Sequence, residues 1–395
     1  MSKKFYEGIE KKLEEMKVLG KYKEYQYLKS PMSNRAVIEK FNEVIILCSN
    51  NYLGFSDNRE IVKAGQEALE KYGVGAASVR FICGTYDIHR KLEEKVAEFL
   101  HTEASLTYTS CWNANTAVIP VLVGDGDCII SDELNHASII DGCRLANKKV
   151  QRFVYKHSDM SNLEQLLLDA KQFATKLVIT DGVFSMEGDL AKLDEIVALC
   201  RKYDAVLLVD ESHATGVMGK TGRGTIEHFG LLGQIDIITG TFGKALGGSG
   251  GGFVAAKKQV IDLCIQNSRP SLFSNSLPPV IAAMSLKAIE ILDSQPELVN
   301  SLHLKTDYLR KKLNENGIFP LEGDSAIVPI IVGETSKAIS MAKEIMKKNV
   351  YVTGFGYPVV PEGHARIRIQ VSNALTYEDI DKCVAVIKEV YDQTK

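Results

Sequence analysis

Between residues 43 and 274, short β-branched and apolar runs alternate with segments of helical periodicity, and this alternation limits the fold more than any other feature of the chain. The strand candidates are VIILC, ASLTYT, CIISD, RFVYK, KLVITD, AVLLVD, DIITGT and GGFVAA. Most are apolar at consecutive positions, so both faces of each strand need covering, as in a parallel sheet flanked by helices. The intervening segments, such as 87–101 and 190–203, repeat apolar residues at helical spacing. An α/β domain with a mostly parallel sheet is therefore predicted over residues 43–285.

Past residue 279 the texture changes. Long helical stretches at 280–293, 296–315, 335–348 and 376–392 surround three strand candidates, AIVPIIVG, VYVTGF and ARIRIQV. This pattern predicts a smaller α+β domain over 286–395, consistent with a 395-residue chain that exceeds what one core supports. Residues 1–42 form an N-terminal helical segment. Its amphipathic opening helix ends at Gly20 and is expected to fold against the small domain or a partner.

Charge narrows the function classes. The 47 basic and 50 acidic residues give a net charge of -3 without a long block of either sign, which argues against a nucleic-acid or membrane surface. No run approaches the roughly 18 apolar residues of a membrane span, and the N-terminus has no apolar signal region. The eight cysteines contain no CxxC pair and mostly sit inside apolar runs, so they read as buried free thiols, with no metal site, in a reducing and hence cytoplasmic setting.

The chemistry gathers at predicted strand ends, where α/β sheets bind ligands. Asp210 closes AVLLVD, with His213 three residues on, and Lys244 lies in the glycine-flanked turn GTFGKALGG after DIITGT. A lysine among small residues can form a Schiff base, and an aspartate at a strand end can keep a pyridine nitrogen protonated. Together they point to pyridoxal 5'-phosphate as cofactor. The stretch GGSGGG at 247–252 lacks the G-x-G-x-x-G order and precedes a strand, so it is not a dinucleotide fingerprint.

Phosphate binding calls for backbone N–H groups at a helix start. Ser110, Cys111 and Trp112 lie between ASLTYT and a predicted helix, and Thr241 adds a hydroxyl from the lysine turn; Ser110 also suits a plain helix cap. His136, in SDELNHASIIDG, offers a flat imidazole to stack on a pyridine ring. Ser185, in TDGVFSMEGD, and His213 are candidates for the cofactor's phenolic oxygen. Arg366 and Arg368 share one face of ARIRIQV, either as a clamp for a carboxylate or as two solvated arginines on an edge strand.

At these residues the chain resembles the α-oxoamine synthases, enzymes that condense an amino acid with an acyl-CoA thioester. The resemblance rests on SNNYLGF, GAASVRFICGT, ISDELNHASIIDG, TDGVFSMEGD, VDESHATG, GTFGKALGG and PVVPEGHARIRIQVS, in order along nearly the whole chain. It implies the fold-type I PLP-dependent transferase fold and a homodimer with shared sites. It also implies Lys244 as the Schiff-base lysine, Asp210 at the pyridine nitrogen and His136 on the ring. His213 and Ser185 would lie at the phenolic oxygen, and Ser110, Cys111, Trp112 and Thr241 around the phosphate. Asn50 and Arg368 would hold the substrate carboxylate, with Ser274 and Asn275 approaching the partner subunit's phosphate.

Within that family, ASVRFICGTYDIH and NSRPSLFSNSLPP are most like members that use glycine and acetyl-CoA, with release of CoA; alanine plus a pimeloyl thioester is the alternative. A lyase of the same fold type that cleaves threonine without CoA is a further one. Two departures from the family pattern stand out. Ser372, Asn373, Ala374, Leu375 and Thr376 replace a segment that usually carries a histidine, and Glu211 stands where aspartate is frequent.

Overall fold

The computed structural model describes residues 2–19 and 22–394; Gly20, the expected end of the opening helix, lies outside the described residues. The chain forms two compact units. One comprises Met1–Ser49, Lys305–Glu322 and Ile327–Lys395, the other Asn50–Leu304 and Gly323–Ala326. This grouping differs from divisions at 42/43 and 285/286: strand Glu43–Ile46 pairs with Val350–Tyr351, and residues 286–304 group with the larger unit.

The larger unit is built on a seven-stranded sheet. Its strands in chain order are β1 (Ala104–Tyr108), β2 (Cys128–Asp132), β3 (Gln151–Tyr155), β4 (Lys176–Asp181), β5 (Val206–Asp210), β6 (Ile237–Thr241) and β7 (Gly252–Ala256). Their spatial order is β1-β7-β6-β5-β4-β2-β3. β2 to β6 run parallel, and β7 is antiparallel to both its neighbours. The apolar runs behave as covered strands should: every residue of β2, β4 and β7 is buried, whereas on the edge strand β3 only Tyr155 is.

One core cluster joins the sheet to helix Cys111–Leu122 through Leu106, Val118, Ile119, Ile129, Ile179 and Val254. Burying each such side chain stabilises the unit by about 1.5–3 kcal/mol. Because β4, β5 and β6 point the same way, their carboxyl ends bring Asp181, Asp210 and Thr241 to one edge of the sheet.

The smaller unit holds two three-stranded sheets. Strand Glu43–Ile46 pairs antiparallel with Arg35–Val37 and parallel with Val350–Tyr351, so the VIILC run does not belong to the large sheet. In the other sheet, Ala365–Gln370 lies between Ile327–Gly333 and Thr353–Phe355. VYVTGF is thus two strands serving different sheets. Ala365–Gln370 is central and wholly buried, which corrects the edge-strand alternative for Arg366 and Arg368.

The helices expected over 280–293, 296–315, 335–348 and 376–392 are observed as Pro279–Ser294, Glu297–Glu315, Thr335–Lys347 and Tyr377–Gln393. The last begins with a capping box between Thr376 and Asp379, and Asp379 also accepts from Arg35 at 2.7 Å. Leu375, at the family's histidine position, is buried, and the Asn373 carbonyl accepts from Lys305 at 2.6 Å. The opening helix Lys3–Val18 buries none of its residues, so the expected docking onto the small domain is not observed. No described helix is long and apolar enough to cross a membrane. All eight cysteines are free; six are buried, Cys48 is partly covered and Cys83 is exposed.

Candidate active site

Asp210 ends β5 and is 2% exposed. Its Oδ2 accepts from Asn115 Nδ2 at 2.7 Å and its Oδ1 from the Ser212 N–H at 2.8 Å. The Cys111 thiol lies 3.6 and 3.9 Å from the two carboxylate oxygens, and burial together with the Asp210 charge pushes that thiol well above its ordinary pKa. On β4, Asp181 sits directly beside Asp210. Burial, then the Asp210 charge, raises Asp181 well above the usual carboxyl range, although it accepts the His136 N–H at 2.7 Å.

Lys244 lies in the turn between β6 and β7. Its charge bears on Cys111, His136 and Asp181, which sets it in the same electrostatic neighbourhood as Asp210. Thr241 organises the turn: its hydroxyl donates to the Gly251 carbonyl at 3.0 Å and accepts the Gly243 N–H at 3.0 Å. Gly251 has φ +91°, in the left-handed region that suits glycine, and its N–H donates to the Thr109 carbonyl at 3.1 Å. Gly252 answers to a different constraint. A Cβ there would lie 2.3 Å from the Cys111 nitrogen and 2.5 Å from the Ser110 carbonyl carbon.

The lysine turn is thereby pressed against the N-terminus of helix Cys111–Leu122. Ser110 caps that helix, accepting the Asn113 N–H at 3.1 Å, so the capping alternative describes its side chain. The first-turn N–H groups and the positive end of the helix present the donors and dipole that suit an anion. Trp112 is 43% exposed at this turn, with its ring edge-on to His136 at 5.9 Å.

His136 caps helix Ala137–Leu145 through Nδ1, which meets the Ser138 N–H at 3.2 Å and Ser138 Oγ at 2.8 Å. Desolvation by burial lowers its pKa, opposed by the Asp210 charge and assisted by Lys244. His213 is buried, with Nδ1 2.9 Å from the Tyr52 hydroxyl. Ser185 lies in the loop after β4, where Val183 and Leu190 form an antiparallel bridge. Ser274 and Asn275 line a small polar recess with Arg80, Thr109 and Asn113, and Asn275 bridges to Val79.

The two carboxylate-clamp candidates fall in different units. Asn50 begins the larger, its carbonyl accepting the Tyr52 N–H at 2.9 Å. Arg368 is in the smaller, where it stacks over Phe355 at 4.6 Å and donates to Gln370 Oε1 at 3.0 Å.

Three groups escaped the sequence reading. Tyr52 holds His213, and its only signal was its place in SNNYLGF. Asn115, 0% exposed, holds Asp210. His157 links the loops after β2 and β4: its Nδ1 is 3.1 Å from Asp132 Oδ1 and its Nε2 2.9 Å from Asp189 Oδ2, with its ring edge-on to Phe184 at 4.4 Å. Glu211 does not face Asp210's partners at all. Its carboxylate accepts from the Thr225 N–H at 2.9 Å, the Thr225 hydroxyl and the Ile226 N–H, and burial raises it to about 7. Gly182 and Gly224 leave the room its extra carbon needs, since a Cβ on either would approach its carboxylate to 3.0 or 2.2 Å.

These residues fit a pyridoxal 5'-phosphate. Asp210 is a buried carboxylate held by neutral donors, as a pyridinium requires, and the anion-binding helix end and the lysine turn adjoin it.

Comparison with known proteins agrees. Residues 42–387 match the family Aminotransferase class I and II. The chain is 46% identical over 386 residues to 8-amino-7-oxononanoate synthase from Thermoanaerobacter pseudethanolicus, covering 98% of this chain and 97% of that protein. It is 43% identical over 395 residues to 2-amino-3-ketobutyrate coenzyme A ligase from Escherichia coli K12, covering 100% and 99%. Among solved structures, an SPT with a PLP internal aldimine superposes with a TM-score of 0.93 at 30% identity, covering 100% of this chain and 99% of that one. Serine palmitoyltransferase of Sphingomonas wittichii gives 0.92 at 29% identity, covering 99% and 98%. The chain belongs to the aminotransferase class I and II family, within its α-oxoamine synthases, and is a fold-type I enzyme with pyridoxal 5'-phosphate as cofactor.

Proposed function

We propose that this α-oxoamine synthase joins glycine to acetyl-CoA, giving 2-amino-3-oxobutyrate and CoA, and in reverse cleaves that product with CoA during threonine breakdown, as a glycine C-acetyltransferase. The observation that carries this reading is the end-to-end relation to the Escherichia coli ligase, at 43% identity over 395 residues. The 46% identity to an 8-amino-7-oxononanoate synthase favours a second reading, alanine with a pimeloyl thioester.

When bound, pyridoxal 5'-phosphate supplies an electron-withdrawing ring that stabilises negative charge at the amino acid's Cα. In this reading Lys244 is the residue that would hold the cofactor covalently through Nζ, and its amine would be the base for the Cα proton. Asp210 keeps the pyridine nitrogen protonated, its own carboxylate steadied by Asn115 and the Ser212 N–H. Helix-start N–H groups at Cys111 and Trp112, with the hydroxyls of Ser110 and Thr241, hold the phosphate. His213, backed by Tyr52, and Ser185 serve the phenolic oxygen. His136 covers the ring as a neutral imidazole.

Arg368 and Asn50 are assigned to the substrate carboxylate by their places in the family motifs. A homodimer is part of the same proposal, with Ser274 and Asn275 serving the partner subunit's phosphate, and so is a reducing, cytoplasmic setting.

The deciding experiment measures CoA release by the purified holoenzyme with glycine plus acetyl-CoA against alanine plus pimeloyl-CoA. A larger kcat/KM for the first pair supports the proposal, and a larger one for the second replaces it with the oxononanoate reading. Glycine formed from threonine without CoA would assign a lyase instead.

A further inference from the structure

Asn115 lies one turn into helix Cys111–Leu122 and is completely enclosed. Its amide nitrogen has two close acceptors: Asp210 Oδ2 at 2.7 Å and Ser138 Oγ at 2.9 Å. An amide NH2 carries two hydrogens, so both contacts can be made at once. Turning the amide over would set its oxygen against the Asp210 carboxylate. The orientation is therefore fixed by charge. Asn115 Oδ1 is buried with no hydrogen-bond partner among the described residues, so the two donated bonds, not the acceptor, hold this side chain.

Proton positions follow along the chain of contacts. A backbone N–H can only donate, and the Ser138 N–H is directed at His136 Nδ1 at 3.2 Å. Nδ1 is then an acceptor, and the ring proton of a neutral imidazole resides on Nε2. The Ser138 hydroxyl, 2.8 Å from the same nitrogen, donates to Nδ1 and uses a lone pair for Asn115. Asp210, Asn115, Ser138 and His136 thus form an unbroken run of hydrogen bonds that diverges from the Asn115 amide, which donates on one side to Asp210 and on the other to Ser138, itself donating to His136. Ser138 and Asn115 are both shielded from water, at 1% and 0% exposure, so solvent does not replace a lost bond.

We propose that Asn115 is a positioning residue that couples Asp210 to His136 through Ser138, setting the acid for the pyridine nitrogen and the imidazole for the ring face as one unit. This rests on the roles given above to Asp210 and His136. Asn115 favours the ionised form of Asp210 by donating to it, and the Ser138 branch fixes which nitrogen of His136 is the donor.

The test uses Asn115→Leu, which removes both donors and keeps the branched shape, and Ser138→Ala, which removes only the hydroxyl link to His136. Apoenzyme is titrated with pyridoxal 5'-phosphate, the visible lysine-imine band of the loaded protein is followed against pH, and the His136 tautomer is read by nitrogen-15 NMR in the apoprotein. Asn115→Leu should weaken cofactor binding about tenfold or more, the loss of one hydrogen bond to a charged group, and move the pH midpoint of the band. Ser138→Ala should leave affinity within about threefold; the backbone N–H at position 138 still meets Nδ1, so the Nε2–H preference of His136 should weaken without being lost, read as a partial shift in tautomer population. A purely structural role would lower the melting temperature without moving the midpoint or the tautomer, and would overturn the proposal. Unchanged affinity and midpoint in Asn115→Leu, or an unchanged tautomer in Ser138→Ala, would overturn it too. Wild-type protein that forms no visible band, or a band that survives Lys244→Ala, would instead remove the site reading beneath it.

Discussion

Replacing His157 with glutamine tests whether a buried charge ties two active-site loops together. Burial works against an imidazolium there, but hydrogen bonds to Asp132 and Asp189 and their negative charges outweigh it and push the pKa from 6.5 to about 10. That gap corresponds to folding stabilisation on the order of 4 kcal/mol, allowing for the ring's 18% residual exposure. The sign follows from the folded-state pKa being the higher one. Stabilisation is complete below about pH 6.5 and is lost as pH rises through about 10.

Denaturant unfolding of wild type and His157→Gln at pH values of about 6, 8 and 10.5 measures the difference. It should be largest at the lowest pH and close nearly to zero at the highest. An NMR titration of the ring gives the same pKa directly. A difference that does not vary with pH, or a ring that titrates near 6.5, would refute the reasoning.

Other substitutions probe the site from different directions. Lys244→Ala should lower turnover by about a thousandfold or more while circular dichroism stays unchanged; retained turnover would remove the lysine from the chemistry. Asp181→Asn should be far milder than Asp210→Asn in a cofactor titration, because Asp181 is raised well above the usual carboxyl range and an amide oxygen can still accept the His136 N–H. Equal losses would contradict this. Gly252→Ala drives a Cβ into the backbone at Ser110 and Cys111, so cofactor affinity should fall about tenfold and stability by about 1–3 kcal/mol, read by apoenzyme titration and thermal melting.

Local pattern carried the sequence reading a long way. Consecutive apolar residues announced all seven strands of the large sheet, and strand ends pointed to Asp210 and Lys244. Pairing partners were not legible, because hydrogen bonds across a sheet depend on residues far apart in sequence. VIILC looked like its neighbours yet pairs with Val350–Tyr351, some three hundred residues on, and VYVTGF divides between two sheets. Whether Arg366 and Arg368 were a carboxylate clamp or solvated edge residues stayed open in the sequence, and strands on both sides exclude the edge. Asn115 and His157 were invisible for the same reason: each does its work through contacts that only the fold assembles. Glu211 looked like a variation beside the anchor acid, and its partners at Thr225 and Ile226 show a helix cap instead.

The reversal of direction at β7 has a mechanical consequence. Because that strand runs back between β1 and β6, the segment carrying Lys244 is stitched at one end to Thr241 and at the other to the backbone of Thr109 and Ser110. The proposed covalent tether and the proposed phosphate cradle are two grips of the same hand. A substitution that shifts either the lysine turn or the helix start is therefore expected to displace the other.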